Sequence, residues 1–248
     1  MQIITEPDFS GLDKNHKWAE QFQILNFSQG GTTLIPHNFF RNWLDQSDNI
    51  NGKFYIGKCS GLGVGSIVKY DAGLQNLHIG RFVAGGLRLK FLLNGQHEMR
   101  TISISMFSVF DQRLKNPSPP QYSDSMVKND VWIGDEVMML GGGIIENGCV
   151  IGARSLLPPN FCSEPYGIYA GTPAKLIRFR FSEKVREALF NLAWWEMSLS
   201  WIRDNNEAFL KDLTLDDLRS LEVLAQLMES KQAFIKRNSQ VTYGNPEP

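Results

Sequence analysis

Cysteine is scarce in this chain. Cys59, Cys149 and Cys162 are the only three, far apart and without a CxxC pair. An odd count at such spacing argues against a disulfide framework and against a zinc site. An excess of either charge is also missing. Lys+Arg total 25 against Asp+Glu 26, a formal net charge of −1, which disfavours a globally basic nucleic-acid binder and leaves only a local basic patch open. No run of about 18 apolar residues occurs, so no membrane span is expected. The opening MQIITEPDFS has no basic segment followed by an apolar one. No signal peptide is therefore expected, and the expected location is the cytoplasm. With 42% hydrophobic residues there is ample material for a core without staples.

Glycine is nearly absent after Gly171, while most of the 22 fall between Gly52 and Gly171. That unevenness divides the 248 residues into three parts. Residues 1–51 are aromatic-rich and read as an N-terminal cap on the acceptor side. Residues 52–176 are rich in Gly, Val and Ile. Residues 177–248 read as helix with a polar tail, NSQVTYGNPEP.

The middle part repeats in blocks of six. From Val127 the blocks are VKNDVW, IGDEVM, MLGGGI, IENGCV and IGARSL, then Leu157. Their openers are all apolar: Val127, Ile133, Met139, Ile145, Ile151 and Leu157. The fifth positions, Val131, Val137, Gly143, Cys149 and Ser155, are small or β-branched. A run from Ile56, through Leu62 and Val68 to Leu74, keeps the same rule, and one from Ile79, through Gly85 to Phe91, keeps it most weakly because its middle block opens with glycine. A period of six fits neither an α-helix nor a plain alternating strand; it fits a parallel β-helix, each block giving one short strand and one turn. Openers then point inward and stack, and glycines are expected to supply tight corners. A Gly-rich β-sandwich with chance spacing is the alternative, against which five successive apolar-led blocks weigh. The hand of the coil does not follow from the period.

The rhythm breaks from about Glu98 to Ser125, a stretch carrying Pro117, Pro119 and Pro120. A long loop of this kind is functional or disordered. Phe107, Phe110 and Tyr122 point to docking. After Phe181 the period turns helical. Ser182 is the expected N-cap of a helix through EKVREALFNLAWW, on which adjacent Trp194 and Trp195 would face about 100° apart. A second helix is expected over 199–210. A third is expected from near Thr214, with Asp216 and Asp217 in its first turn and Lys236 and Arg237 in its last.

The blocks NDVWIGDEVMMLGGGIIENGCVIGARSLL, the corner AGTPAK and the helix with its WW pair together resemble the hexapeptide-repeat acyltransferases. Within that family the chain is most similar to the xenobiotic acetyltransferase branch, which acts on streptogramins and chloramphenicol, and to related sugar acetyltransferases. The resemblance runs from about Lys53 to Trp201. It implies a mainly β fold: a left-handed parallel β-helix with a long loop excursion and a C-terminal helical segment. It also implies a homotrimer, and acetyl-CoA as co-substrate with no metal.

The same resemblance singles out His97. Of His16, His37, His78 and His97, only His97 stands where the repeat gives way to the loop, in the stretch NGQHEMR that parallels the family's N-H-R-M-D. Gln96 and Arg100 depart from that pattern, which leaves the acceptor contacts open. Acetyl transfer requires a hydroxyl or amine to attack a thioester, and an imidazole with an ordinary pKa of about 6.5 is a suited general base. A surface loop histidine is the bland reading. The oxyanion donor is expected as a backbone N–H near Gly134–Asp135. The resemblance places the donor along the coils, with Trp132, Gly134, Gly142 and Ala153 beside the reactive end and arm, and Lys175 and Arg178 on the CoA phosphates. A packing tryptophan and a solvated basic pair are the alternatives for the aromatic and the cations. Neither a Walker motif nor GxGxxG is present. Four scattered histidines lack metal-ligand spacing, which also speaks against a β-helical carbonic anhydrase. The acceptor is a small molecule bearing a hydroxyl or amine, bound near Phe39, Phe40 and Trp43 and the loop. The departures around His97 favour a sugar or nucleotide sugar. Antibiotic acetylation and a non-catalytic β-helical scaffold stay open.

Overall fold

The computed structural model describes residues 2–42, 52–70, 75–118 and 120–241. Trp43, the expected opener Leu74, Pro119 and the final residues 242–248 of the tail lie outside the described residues.

Three five-stranded sheets form the faces of a prism. The first face stacks Gln2–Ile4, Lys53–Ile56, Leu77–Ile79, Ser125–Val127 and Ile144–Ile145. The second stacks Ala84–Gly85, Trp132–Ile133, Val150–Ile151, Gly167–Gly171 and Ala174–Phe179. The third stacks Phe40–Asn42, Ile67–Tyr70, Lys90–Leu92, Met138–Leu140 and Leu156–Leu157. The chain visits first, second and third face in turn and then starts the next coil, so neighbouring strands are parallel. One exception is the terminal pair of the second face, an antiparallel hairpin turning at Thr172–Pro173. This is a parallel β-helix. Strands Gln2–Ile4 and Phe40–Asn42 belong to it, so the coil reaches into the N-terminal part that composition set apart. Residues between them form a separate three-stranded antiparallel sheet.

The period of six holds physically because every described opener is inward. Val127, Ile133, Met139, Ile145, Ile151 and Leu157 are each 2% exposed or less. Ile56, Leu62, Val68, Ile79 and Phe91 extend the same stack downward. Gly85 is the one described opener without a side chain, and Leu62 Cδ2 and Leu89 Cδ1 fill the space its Cβ would take.

The corners correct one expectation. Their left-handed positions are mostly not glycine: Asp130, Glu136, Arg154 and Asn160 hold φ between 55° and 61°. Left-handed backbone at such residues costs about 1–3 kcal/mol unless neighbours over-determine it. Here the neighbours do. Glu136 accepts from Arg88 Nε at 3.0 Å below and from Arg154 Nε at 2.7 Å above, and all three occupy the same corner of successive coils. The repeat glycines answer a different need, the closeness of stacked backbones. A Cβ on Gly80 would meet the Lys128 carbonyl carbon at 2.7 Å, and one on Gly134 would meet Ala153 N at 2.6 Å.

Third-face partners Phe40, Val68, Phe91, Met139 and Leu157 are unevenly separated in sequence. Met139 to Leu157 is the bare coil, three blocks of six. Above the N-terminal antiparallel sheet, the extra length elsewhere always enters where the chain passes from the third face to the first: between 42 and 53, 70 and 77, and 92 and 125. The excursion therefore begins at Leu93, earlier than Glu98, and ends before Ser125, which lies in a strand. Among its described residues it carries one short helical turn, Phe107–Val109.

Helix α1 (Glu183–Leu192) starts as expected, with Ser182 Oγ accepting from Val185 N. It ends sooner than its sequence predicts. Ala193 turns left-handed at φ 42°, so Trp194 and Trp195 sit in a separate helical turn and not on α1. Trp194 then packs between Phe82 of the coil and Phe209. The second predicted helix is two, α2 (Leu199–Asp204) and α3 (Asn206–Phe209). Asn205 breaks it, its amide donating to the Trp201 carbonyl in competition with the backbone. Helix α4 (Asp217–Val241) begins just after Asp216, whose carboxylate accepts from Leu218 N at 2.8 Å as a cap. Arg81 ties coil to helices: it donates to Glu6 at 2.6 Å, to Glu196 at 3.0 Å and to the Trp195 carbonyl. No described helix is long and apolar enough to cross a membrane.

Because Ile151 is fully buried among stacked openers, Ile151→Ala should lower unfolding stability in urea by about 2–5 kcal/mol. Leu215→Ala, at an 81% exposed position, should stay within roughly 0.5 kcal/mol.

Candidate active site

His97 follows the third-face strand Lys90–Leu92 closely, at the start of the excursion. Its Nδ1 lies 2.6 Å from the Ile104 carbonyl oxygen. A carbonyl only accepts, so Nδ1 carries the proton and Nε2 of the neutral ring keeps its lone pair. No described residue occupies that lone pair. The side chain is exposed, as a base meeting a substrate must be.

The other histidines are placed differently. His16 Nδ1 accepts from Trp18 N, which puts the proton of the neutral ring on Nε2 and leaves no free lone pair. His37 Nε2 is bonded to the Ala19 carbonyl at 2.8 Å. His78 points outward from the first face, as expected, stacked on Tyr55 with Nε2 3.1 Å from Asp124 Oδ2.

Beside His97, Glu98 and Arg100 form a closed local pair. Arg100 donates to Glu98 from Nε at 2.9 Å, from Nη2 at 2.7 Å and from its backbone N at 2.8 Å. Those contacts hold the Glu98 carboxyl down to about 2. The departure at Arg100 is thus taken up within the loop, with Nε and Nη2 both committed to Glu98. Just before His97, the Asn94 amide is buried with neither its nitrogen nor its oxygen hydrogen-bonded among the described residues.

The donor-side candidates gather on the second face, with two exceptions. Successive register partners Ala84, Trp132, Val150, Ile168 and Arg178 form one row across that face. Trp132 is 60% exposed while the next residue, Ile133, is buried, so the row points outward. Three strand spacings separate Trp132 from Arg178, about 14 Å at roughly 4.8 Å each. Lys175 pairs in register with Ala170, whose Cβ lies over Gly152, and Ala153 next to it is exposed. Neither Lys175 nor Arg178 has a carboxylate partner among the described residues. From Trp132 onward the row offers an aromatic, then aliphatic residues, then Arg178, with Lys175 on the same strand beside the row.

Gly134 and Gly142 do not join it. Both are buried. The space above Gly134 is filled by Ala153 backbone, and that above Gly142 by Asn160 Oδ1. Their smallness serves the close approach of the neighbouring coil. The Gly134 N–H donates to the Ile151 carbonyl at 2.8 Å, so it is not the expected oxyanion donor. Asp135 turns its carboxylate back to the coil below, accepting from Leu87 N at 2.8 Å. Among the described residues no three His, Cys, Asp or Glu side chains cluster to hold a metal.

Sequence reasoning missed two features. The Ile104 carbonyl fixes the tautomer of His97, and no backbone carbonyl has a sequence signature. The Glu98–Arg100 pair is visible in the sequence as two opposite charges but not as a bidentate lock.

His97 and Gly142 belong to the corner between the third and first faces. Trp132, Ala153, Lys175 and Arg178 belong to the second face. In a three-sided prism that corner and that face lie opposite one another.

No family model matches the chain. Among individual proteins, a probable macrolide acetyltransferase of Lysinibacillus sphaericus is 38% identical over 150 residues, 58% of this chain and 82% of that protein. A chloramphenicol acetyltransferase of Agrobacterium fabrum is 31% identical over 61% of this chain and 72% of its own length, and one of Escherichia coli is 35% identical over 53% and 64%. A solved N-acyltransferase from Bacillus cereus, in complex with a dTDP-amino sugar and coenzyme A, aligns over 66% of this chain and 88% of its own at 19% identity and a TM-score of 0.44. With an inward-stacked hexad coil, a histidine held at the root of the excursion and these sequence relatives, the chain belongs to the xenobiotic acetyltransferase branch of the hexapeptide-repeat acyltransferases.

Proposed function

We propose that this protein transfers an acetyl group from acetyl-CoA to a hydroxyl of an antibiotic-type acceptor, with His97 as general base. The observation that carries this reading is the 2.6 Å contact of His97 Nδ1 with the Ile104 carbonyl, which in the neutral ring leaves Nε2 as the acceptor nitrogen. Acetyl-CoA supplies the activated thioester. His97 Nε2 takes the acceptor O–H proton as the oxygen attacks, and the imidazolium returns that proton to the departing sulfur. The Ile104 carbonyl stabilises the imidazolium through the same bond. Nucleophile and base act directly, with no covalent acyl-enzyme.

The row from Trp132 to Arg178 fits an extended donor whose phosphates meet Lys175 and Arg178. The acceptor reading follows the relatives. Macrolide, chloramphenicol and virginiamycin acetyltransferases are named among them. The departures around His97 favour a sugar acceptor in the sequence alone, but Arg100 loses that significance once it is locked to Glu98. Because the donor is an intracellular metabolite, the reaction belongs in the cytoplasm.

We further propose a left-handed coil, following the family, and a homotrimer. One chain keeps its base corner and its donor face on opposite sides, and a neighbour rotated about a threefold axis brings one chain's His97 to the other's Trp132 row. The unpartnered Asn94 amide and the exposed excursion side chains Met99, Ile102 and Phe110 support such a contact. A closed ring of three satisfies each chain alike.

Light scattering at micromolar concentration should then give about 84 kDa, three times the 28.1 kDa chain; a particle of one chain's mass would overturn the trimer.

His97→Ala should lower kcat by about 10²–10⁴-fold with KM for acetyl-CoA nearly unchanged. Glu98, held ionised down to about pH 2 by Arg100, should add no pH dependence of its own in the working range. Retention of more than about a tenth of wild-type kcat would remove His97 from the reaction.

Lys175→Ala with Arg178→Ala should raise KM for acetyl-CoA while sparing kcat, each lost charge-assisted contact weakening binding by about 1.5–3 kcal/mol. An unchanged KM in the double variant would show the cations to be a solvated pair.

A further inference from the structure

The outward row of the second face does not stop at Trp132. Its register partner below is Ala84, and single bridges carry the line on to Gly61 and then to Leu34 of the N-terminal antiparallel sheet. The positions from Arg178 down to Leu34 therefore share one outward side. Two small residues stand between the large side chains of Trp132 and Leu34. Ala84 is exposed and Gly61 half-buried. Trp132 and Leu34 are three strand spacings apart, about 14 Å at roughly 4.8 Å each. The trough between them ends at Leu34, because the next partner in line, Ile24, is 1% exposed.

The coil itself does not explain Gly61. Every other described glycine from Gly57 to Gly171 either holds a positive φ or would press a Cβ to 3.0 Å or closer on a neighbour. Gly61 does neither. Its φ is not left-handed, and a Cβ there would meet Leu34 Cβ at 3.8 Å and Leu34 Cδ1 at 3.9 Å, which is ordinary contact. Its backbone is committed to the ladder: its N–H donates to the Val83 carbonyl at 2.8 Å and its carbonyl accepts from Gly85 N at 2.7 Å. Glycine at a laddered position costs backbone entropy, and neither a turn nor packing demands it here. Glycine in a strand otherwise marks the close approach of a ligand or of another backbone. No backbone of another strand lies within 4 Å of that missing Cβ among the described residues, which leaves a ligand.

We infer that Ala84 and Gly61 form the acyl-chain end of the donor site and admit linear acyl groups longer than acetyl, up to about butyryl. This rests on the reading of the second face as the donor face. With the phosphates at Lys175 and Arg178 and the thioester near Trp132, a donor laid along the row points its acyl chain at Ala84 and then at Gly61. The trough carries no charge, so it suits methylenes. An acetyl methyl fills only the Ala84 end. The Gly61 end takes the further carbons, and Leu34 sets the limit.

The test titrates the full chain with CoA, acetyl-CoA and butyryl-CoA by calorimetry. Butyryl-CoA should bind about tenfold more tightly than acetyl-CoA, the usual gain for two buried methylenes. Gly61→Val and Ala84→Leu, which fill the trough, should each bring that preference under threefold. Gly61→Ala should keep or raise Tm, since its Cβ meets only ordinary contacts. The inference is overturned if wild type prefers butyryl-CoA by less than threefold, if Gly61→Val keeps the wild-type preference, or if Gly61→Ala lowers Tm by several degrees and so shows that the fold demands the glycine. Should Gly61→Val fail to fold, Ala84→Leu at its exposed position decides. If CoA itself does not bind, the donor-face reading fails and takes this inference with it. If CoA binds and chain length makes no difference, this inference alone fails.

Discussion

After three hexads the backbone must return above itself, one strand spacing higher, and composition, corners and insertions all follow from that constraint. Interstrand hydrogen bonds such as Gly134 N to the Ile151 carbonyl set the rise. The rise in turn dictates composition. Where backbones pass closest, only glycine fits, because a Cβ would land on the next coil's main chain. Where side chains point inward, each opener meets the opener of the coils above and below, so a branched aliphatic is wanted at every level. The corners then bear left-handed residues, and a ladder such as Arg88–Glu136–Arg154 recovers part of that strain.

A lattice so strict also decides where it can be interrupted. An insertion is harmless only if the chain re-enters in register, and Trp132 does pair with Ala84 across the whole excursion. Beyond the N-terminal sheet, all the extra length enters at the corner between the third and first faces. The first–second and second–third corners stay tight. Thus the inserted length is concentrated at one edge, and His97 stands near the root of the longest of these insertions. Regularity elsewhere is what gives His97 a fixed origin: its loop springs from Phe91, buried in the stack, and its ring is held by the loop's own Ile104 carbonyl.

This explains what was legible in the sequence. The hexad rhythm reports the inward stack directly, since each opener is one inward side chain. The position of His97, near where the rhythm stops, was legible; its proposed role came from the family resemblance. What was not legible arises from contacts between coils. The repeat glycines looked like tight corners or ligand approaches, yet Gly134 and Gly142 lie directly against Ala153 and Asn160 of the next coil. Nothing in a single block states how near the next one lies. The helices failed similarly at their ends: helical spacing continued through Trp194 and Trp195, but Ala193 turns left-handed so that Trp194 can reach Phe82 and Phe209. Tertiary packing outweighed local periodicity there.

The row on the second face carries the same logic to function. Stacked strands repeat their outward positions at fixed intervals, so a face of a β-helix is a ruler. Trp132 and Arg178 lie three divisions apart on it, with Val150 and Ile168 between. A long, flexible donor with an anionic end is read most simply by such a surface: a cation at one mark and a reactive-end contact at another fix its length without enclosing it. A flat ruler cannot also hold the base above the reactive end. In the proposed trimer that group would come from another chain, at the corner where its coil admits insertions. On the reading proposed above, a rigid measuring face and a loop-borne base divide the labour between them, and association between chains would be part of the chemistry.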